Sequence, residues 1–496
     1  MYSSGLDFVI WPSRKLETLR DESSPSATRV DARAEPVDPG QAAEAADHGP
    51  VAQLAWTIAA VALGYAVQIG DGHLHLDAMW WLSAALILTL AVVIAPRTLH
   101  VGRRSETLVI AGLVVALAFQ FWQLLQRTPG IYLTDSHDRA LEPFRHGILL
   151  VAVLSGALAG IDRWQWRVSV MGLVLAVHFA LGVWLIQASP KPFIDTFVFQ
   201  RDAVDALLSF RNPYRLQYPN IYPDESNYGP GLFVNNRSRF GYPYPPLCLL
   251  FATVGKLVGG DFRYSQLIAM TLSGGLIAAL GKLHRIPMLA ATLFLFTPRG
   301  FFVLEQSWTE PYLVCLFAAV VLSARRASKA TPWVTGLLLV AKQHAVFLLP
   351  LLWLLPKAAG VRNRRPFFAK AAAIGAVVTL PWFLIRPMPF IRSVALFQFR
   401  QPFRPDALSY MALGSLLGWG LVPQYSVFIA ALAGIGLALW RSPRTTAGFC
   451  GAAALMYFGF FAIAKQAFAN YYYFEIGLLC CAIAAASPQL GRIARG

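Results

Sequence analysis

The stretch IDTFVFQRDAVDALLSFRNPY, Ile194–Tyr214, follows closely on a long apolar run at residues 168–188. Its apolar residues recur at helical spacing and predict an amphipathic helix from Thr196 to Phe210, lying in a membrane interface. Asn212-Pro213 ends this helix, because a residue before proline avoids the helical region. The apolar residues that can share one face are Phe197, Ala203, Val204, Leu207 and Leu208. An apolar run that leads into such a helix indicates a membrane protein.

The composition indicates the same class. Of 496 residues, 56% are hydrophobic and 14% are charged, and the mean hydropathy is +0.51. Soluble domains carry about 25% charged residues. These values exclude a disordered protein, a secreted disulfide scaffold and an ordinary cytosolic enzyme. The repeated apolar runs predict an all-α polytopic membrane protein with about 12–14 transmembrane segments.

The formal net charge of +16 is explained by basic cytoplasmic loops and contact with anionic membrane lipids. No nucleic-acid-binding motif is present, so we expect no nucleic acid partner. Residues 1–50 differ from the rest, since they hold five Lys or Arg and nine Asp or Glu. They predict a disordered cytoplasmic tail.

The basic loops predict the topology. Apolar runs fall near 51–69, 77–95, 106–125, 147–161 and 168–188. The positive-inside rule places the basic loops at 97–104 and 162–167 in the cytoplasm, so the long polar stretch 189–245 lies outside. We therefore divide the membrane part into N-terminal helices, residues 51–165, and a second module, residues 166–490.

Two short apolar segments are expected not to cross the membrane. Pro246–Gly259 has 14 residues, whereas a span needs about 20. If it does not cross, the basic loops near 282–285 and 325–329 both face the cytoplasm. The second such segment is 407–420.

The run Pro332–Pro356 has polar residues near its middle and basic loops at both flanks. Both flanks therefore belong inside, and the run predicts a hairpin of two half-helices of about ten residues each. Its apex, Lys342-Gln343-His344, is expected near mid-membrane and open to the outer side.

The outer stretch carries a familiar order of motifs. Asp195 follows a span, then come the interfacial helix, Asn212-Pro213-Tyr214, and Tyr244-Pro245-Pro246-Leu247. This order resembles the GT-C membrane glycosyltransferases, most of all the polyprenyl-phosphate-mannose-dependent mannosyltransferases of family 87. Lys342 and the run Asn470-Tyr471-Tyr472-Tyr473 are also similar to that family, and the resemblance covers roughly 190–490. The chain departs from the pattern at Ser209-Phe210, in an apparent insertion at 215–241, and in its four additional N-terminal spans.

The resemblance implies a glycosyltransferase that uses a sugar, most often mannose, on a polyprenyl-phosphate donor. It implies an inner-membrane enzyme with its site facing the outside, an acceptor that is a lipid or glycan, and Asp195 as general base in an inverting transfer. Such a base contributes about 10²–10⁴-fold to the rate. The alternative for Asp195 is a helix N-cap.

A phosphate leaving group needs cations, and the candidates are Lys342, Arg386, Arg404 and Lys465. Lys342 could instead pair with Glu305 or Glu310. The candidates for binding sugar or acceptor are Tyr214, Tyr244, Trp308, Glu310, His344, Asn470 and Tyr471. Trp308 could instead belong to an aromatic belt at the membrane interface. No residue set has clear metal-ligand spacing, so we predict no cofactor, and metal dependence remains open. We expect His344 to donate a hydrogen bond.

Two other functions remain open. A transporter or lipid flippase also has many spans and buried charges, but the sequence shows no related halves of the kind many transporters have. A membrane ligase or polymerase that uses a lipid-linked oligosaccharide would differ in its donor.

Overall fold

The computed structural model describes residues 49–95, 104–222, 227–361, 363–420 and 422–487. The predicted tail, residues 1–50, and the basic loop at 97–104 lie almost entirely outside these ranges. The described chain is mostly helical, with one two-stranded sheet. The predicted all-α architecture is therefore confirmed.

In the described ranges, six helices are long and apolar enough to cross a membrane: Pro50–Gly70, Leu76–Ile94, Ser105–Gln126, Asp138–Gly160, Trp164–Ala188 and Arg365–Ile385. Shorter apolar helices of 10–17 residues accompany them. These helices indicate a membrane-embedded protein, as predicted. The total of 12–14 segments stays a prediction, because the shorter helices are below the usual length of a span.

The first five helices correspond to the first five predicted spans. They are α1 (Pro50–Gly70), α2 (Leu76–Ile94), α3 (Arg104–Gln126), α4 (Asp138–Gly160) and α5 (Trp164–Ala188). Helix α1 packs against both α2 and α3, and α4 packs against α5. Two loops, Asp71–His75 and Arg127–His137, connect these helices at the end of the bundle where the cavity described below lies.

The predicted amphipathic helix is α6 (Asp195–Leu208). Its N-cap is Ile194 and Asp195 is its first helical residue, so the N-cap alternative for Asp195 is wrong. The helix ends before Phe210, whose backbone φ is 56°. Phe199 and Gln200 are buried along with the predicted apolar face, whereas Leu208 is 40% exposed. The helix is thus covered on more than one side, because the loop after it folds back over it.

That loop begins with a 3₁₀ turn at Pro213–Arg215, where the Asn212 side chain accepts a hydrogen bond from the Tyr214 N–H at 2.9 Å. It then forms a hairpin of β1 (Phe233–Val234) and β2 (Arg237–Ser238). Both turn residues, Asn235 and Asn236, have positive φ. A two-residue turn of this kind suits asparagine and matches the twist of the strands.

The following helices are α7 (Pro246–Gly259), α8 (Arg263–Leu280), α9 (Arg285–Leu295), α10 (Gly300–Glu305) and α11 (Glu310–Arg325). The bounds of α7 agree with the predicted short segment. The apolar stretch 287–303 is divided between two helices, α9 and α10. The break lies at Pro298, which has no N–H to donate and disfavours helical geometry before it, and Arg299 adopts a φ of 62°.

The predicted hairpin has its break at Lys342. Helix α12 (Thr331–Leu339) precedes it, and a 3₁₀ turn at Gln343–Phe347, the short α13 (Leu348–Leu351) and a second 3₁₀ turn at Leu352–Leu354 follow. The second half is therefore not the predicted single half-helix. Pro350 explains the difference, because its ring excludes the helical hydrogen bond to the residue four before it.

The remaining helices are α14 (Arg364–Ile385), α15 (Pro387–Ile391), α16 (Phe397–Arg400), α17 (Tyr410–Leu416), α18 (Ser426–Arg441), α19 (Thr446–Ala462) and α20 (Ala469–Ala485). Helix α17 lies in the predicted segment 407–420 and spans only about 10 Å at 1.5 Å per residue. Helix α20 is buried along nearly its whole length and packs against α1, α9, α11 and α19. It forms the centre of the bundle.

Arg285 and Arg325 lie at one end of the bundle, whereas other basic residues, among them Arg127, Arg299 and Arg404, lie at the opposite end. Arg285 pairs with Asp162, and Arg325 donates a hydrogen bond to the Ser487 carbonyl at 2.7 Å. These groups come from the loop after α4, the start of α9 and the end of α11. The loops that leave the opposite ends of these helices meet around a cavity at the other end of the bundle.

Candidate functional site

A cavity of about 320 Å³, here called the central cavity, lies where these segments meet. The predicted site residues that line it are Asp195, Tyr244, Trp308, Lys342, Arg404, Asn470 and Tyr471. They come from segments far apart in the chain, together with His73 and Tyr132 from the two N-terminal loops. The topology predicted from the basic loops placed all these segments on the same side.

Asp195 lies at the start of α6 and is half-buried. Its carboxylate accepts a hydrogen bond from the Tyr228 hydroxyl at 2.7 Å, and its main-chain N–H donates to the Tyr222 hydroxyl at 3.4 Å. Burial raises the pKa of the Asp195 carboxyl above its usual range, although the hydrogen bond from Tyr228 and the charge of Arg404 oppose the shift. A raised pKa brings a carboxylate closer to the range that suits a general base.

Lys342 lines the cavity, and neighbouring polar groups hold its ammonium in place. Its ammonium pairs with Glu310 and donates to the Thr309 hydroxyl at 3.1 Å. Asn470 donates to the same Glu310 oxygen at 2.7 Å. An ammonium has three N–H donors, so one remains beyond these two contacts. Lys342 thus has the predicted carboxylate partner and also faces the cavity.

Aromatic rings flank this lysine. The ammonium of Lys342 lies 5.5 Å from the ring centroid of Tyr244 and 5.7 Å from that of Tyr471. Both distances are within the range for a cation–π contact. The rings therefore hold the cation at the cavity wall.

Arg404 is the second cation of the cavity. Its Nε and Nη2 donate to the two carboxylate oxygens of Asp406, at 2.8 and 2.7 Å. The guanidinium lies 5.2 Å from the ring centroid of Phe468. Because a guanidinium carries five N–H donors, this pairing fixes its direction and leaves donors for a ligand.

Glu305 is the last residue of α10, and Trp308 lies in the turn between α10 and α11. Glu305 accepts hydrogen bonds from the main-chain N–H groups of Ile131 and Tyr132, at 2.8 and 2.9 Å. It is therefore not the partner of Lys342, and it holds a loop that lines the cavity. Trp308 lines the cavity and contacts the Phe302 ring edge-on at 5.5 Å. Nothing in the sequence indicated the role of Glu305.

Some predicted residues lie outside the cavity lining. Tyr214 is buried, and its hydroxyl donates to the Tyr244 carbonyl at 3.1 Å. Glu310 is fully buried behind Lys342. Arg386 is exposed at the end of α14. Lys465 donates to the carbonyl of Gln401 at 2.6 Å, so it ties two loops together.

His344 also lies outside the cavity, and the prediction that it donates a hydrogen bond is wrong. Neither ring nitrogen has a hydrogen-bond partner among the described residues. Its ring packs instead at 5.3 Å from that of Tyr457 and 5.4 Å from that of Phe461. The apolar surroundings of the hairpin apex explain the difference.

Sequence reasoning missed two tyrosines of the cavity, Tyr222 and Tyr228. Both belong to the stretch 215–241, which stood out only as an apparent insertion. Within the described ranges, no three His, Cys, Asp or Glu side chains are close enough to hold a metal ion.

No protein-family model, curated protein or solved structure matches this chain. A functional assignment therefore depends on the residues of the central cavity and on the motif resemblance.

Proposed function

We propose that this protein is a membrane glycosyltransferase that moves a sugar from a polyprenyl-phosphate donor to a hydroxyl of a lipid or glycan acceptor. The observation that carries the proposal is the central cavity itself. It combines a carboxylate of raised pKa, Asp195, with two cations, Lys342 and Arg404, and with aromatic and amide side chains. A base, a phosphate-binding group and sugar-binding surfaces are the parts that this reaction needs.

In the proposed reaction, an acceptor oxygen attacks the anomeric carbon of the donor sugar. Asp195 takes the proton from that oxygen while the bond between the anomeric carbon and the phosphate oxygen breaks. The polyprenyl phosphate leaves with the bonding electron pair, and Lys342 and Arg404 stabilise its negative charge. Attack opposite to the leaving group inverts the configuration of the sugar.

Tyr228 supports the proposed base. Its hydrogen bond to the Asp195 carboxylate stabilises the charged form. Burial and the charge of Asp195 raise the pKa of Tyr228, so this hydroxyl stays protonated and remains a donor. The acceptor hydroxyl then approaches the other carboxylate oxygen.

We place the protein in the cell inner membrane with the loops that contain Arg163, Arg285 and Arg325 in the cytoplasm. The central cavity then faces the outside, where a polyprenyl-linked donor is presented after it has been flipped. Membrane lipids surround the bundle, as its apolar helices require.

The experiment is transfer of radiolabelled mannose from polyprenyl-phosphate-mannose in membranes that contain the protein, against membranes that lack it. We expect a labelled product whose anomeric configuration is opposite to that of the donor, tested by cleavage with anomer-specific mannosidases. A product of retained configuration contradicts the proposed mechanism. Protein-dependent movement of the donor across the membrane without transfer refutes the proposal and favours a flippase.

A further inference from the structure

A second cavity of about 470 Å³, here called the tryptophan cleft, lies at the ends of α1, α2 and α3. Its walls include three tryptophans: Trp80 and Trp81 from the start of α2, and Trp122 from the end of α3. Its volume falls within the range of roughly 300–1,000 Å³ that is common for small-molecule sites. None of the residues of the proposed transfer reaction lines it.

Tyr65, Trp81 and Trp122 line the cleft, and Phe119 connects their rings from behind. Trp81 lies 5.2 Å from the ring of Tyr65, which lies 5.4 Å from that of Phe119, and Phe119 stacks on Trp122 at 5.8 Å. Trp80 stands beside these rings and is 77% exposed. Isolated tryptophans at a membrane interface need no ligand, but these rings from three helices border one concave space.

Polar groups complete the lining. Gln123 is only 2% exposed, and its side-chain amide has no hydrogen-bond partner among the described residues. The side-chain amide of Gln68, at 6% exposed, donates to the main-chain carbonyl of Gln123 at 3.3 Å, and the Gln68 side-chain oxygen is unpartnered among the described residues. The exposed side-chain amide of Gln126 also lines the cleft, and it can donate hydrogen bonds to the hydroxyls of a ligand and accept hydrogen bonds from them.

The charges of the cleft balance. Asp77 supplies a carboxylate and Arg127 a guanidinium, and Arg127 is already paired with Asp71 at 3.4 Å. An anionic ligand such as a lipid phosphate therefore finds no excess of positive charge here. Flat apolar rings, amides and one charge of each sign suit a neutral saccharide, whose C–H face stacks on a ring while its hydroxyls bind polar groups.

The cleft and the central cavity lie at the same end of the bundle. His73 lines the central cavity and Asp77 lines the cleft, four residues away in the chain. Arg127 lines the cleft, and Ile131, four residues later, lines the central cavity. Four residues span at most about 14 Å, so one oligosaccharide can reach both.

We propose that the tryptophan cleft is a saccharide-binding site that holds the body of a neutral glycan acceptor while its terminal hydroxyl reaches Asp195. The proposed binding of a saccharide is supported by the residues of the cleft alone. Its role as the acceptor rests on the proposed transferase function.

The test measures binding of fluorescein-labelled neutral di- to tetrasaccharides of mannose, glucose, galactose and arabinose to the full chain in lipid nanodiscs, by fluorescence anisotropy. Trp80→Ala and Trp122→Ala are compared with Trp440→Ala, a tryptophan 76% exposed on α18. We expect at least one probe to bind, with at least a tenfold loss of affinity in the two cleft variants and none in the control.

Asp195→Asn separates the two proposals, because it removes the proposed base and leaves the cleft intact. Trp-dependent binding that persists in this variant supports the cleft. In the transfer assay, a cleft variant is expected to raise the KM for a glycan acceptor while kcat is retained. Absence of binding by every probe, equal binding by all variants, or binding of phosphocholine in place of any saccharide overturns the proposal, even where transfer is observed.

Discussion

Lys342 and Glu310 form a buried pair at the wall of the central cavity, and their side chains are 8% and 0% exposed. Removing one partner of a buried ion pair costs about 3–5 kcal/mol, because it leaves the other charge without its counter-ion. We therefore expect Lys342→Met to destabilise the protein by about that amount. Glu310→Gln is expected to cost less, since the ammonium keeps Thr309 and the glutamine oxygen as acceptors.

The double variant is expected to regain stability but not transfer. With both charges gone, the desolvation penalty disappears, and the two changes are coupled by about 2 kcal/mol. The proposed phosphate contact of Lys342 is still missing, so transfer stays low. The assay is equilibrium unfolding in mixed micelles alongside sugar transfer at matched protein levels.

The exposed pair Arg201–Asp202 provides the matched control. Its side chains are 45% and 32% exposed, and such pairs contribute about 0.2–1 kcal/mol. If the changes in the free energy of unfolding caused by Lys342→Met and Glu310→Gln were additive, the two side chains would not interact as a buried pair. Full transfer by the double variant would refute the role of Lys342 at the phosphate.

Three further predictions concern Asp195 and its surroundings. The transfer rate should rise with pH through the raised pKa of Asp195, since the base acts deprotonated. Tyr228→Phe should move this rise to higher pH, because the hydrogen bond that lowers the pKa of Asp195 is lost. A rise at an unchanged pH contradicts the contact between Tyr228 and Asp195. The native state binds the Asp195 proton more tightly than the unfolded state, so stability falls as pH rises from the unfolded pKa to the raised folded pKa. Asp195→Asn should therefore unfold at a temperature no lower than that of the wild type at pH 7. A much lower unfolding temperature contradicts a raised pKa of Asp195 in the folded state. Glu305→Ala removes the acceptor of the Ile131 and Tyr132 N–H groups and should increase their hydrogen exchange; unchanged exchange contradicts this contact.

Several helices could be predicted closely from sequence. Proline at position 246 and glycine at position 259 bound the apolar segment that forms α7, and the charged apex at Lys342 marks the break in the hairpin. These signals are local, because proline and glycine limit the backbone and a charge interrupts an apolar run. The topology predicted from the basic loops also placed on one side the segments that meet at the central cavity.

The direction of side chains could not be predicted in the same way. Glu305 ends α10 and Glu310 begins α11, so the two residues flank one short polar turn. Glu305 nevertheless accepts hydrogen bonds from a loop, whereas Glu310 pairs with Lys342. The φ of 60° at Ser307 turns the chain between them, and serine gives no sequence signal for that conformation. The tryptophan cleft depends on rings from three helices, which local periodicity does not bring together.

Transfer by Asp195→Asn, compared with transfer by the wild type and by Asp205→Asn, is the decisive test of Asp195 as the general base. Asp205 is an exposed aspartate on the same helix, so its change controls for loss of a carboxylate from α6. We predict that Asp195→Asn loses at least a hundredfold in transfer rate at equal expression, as about 10²–10⁴-fold is expected from a general base. Asp205→Asn should transfer at the wild-type rate. Equal rates in wild type and Asp195→Asn would remove Asp195 from the reaction and refute the proposed mechanism.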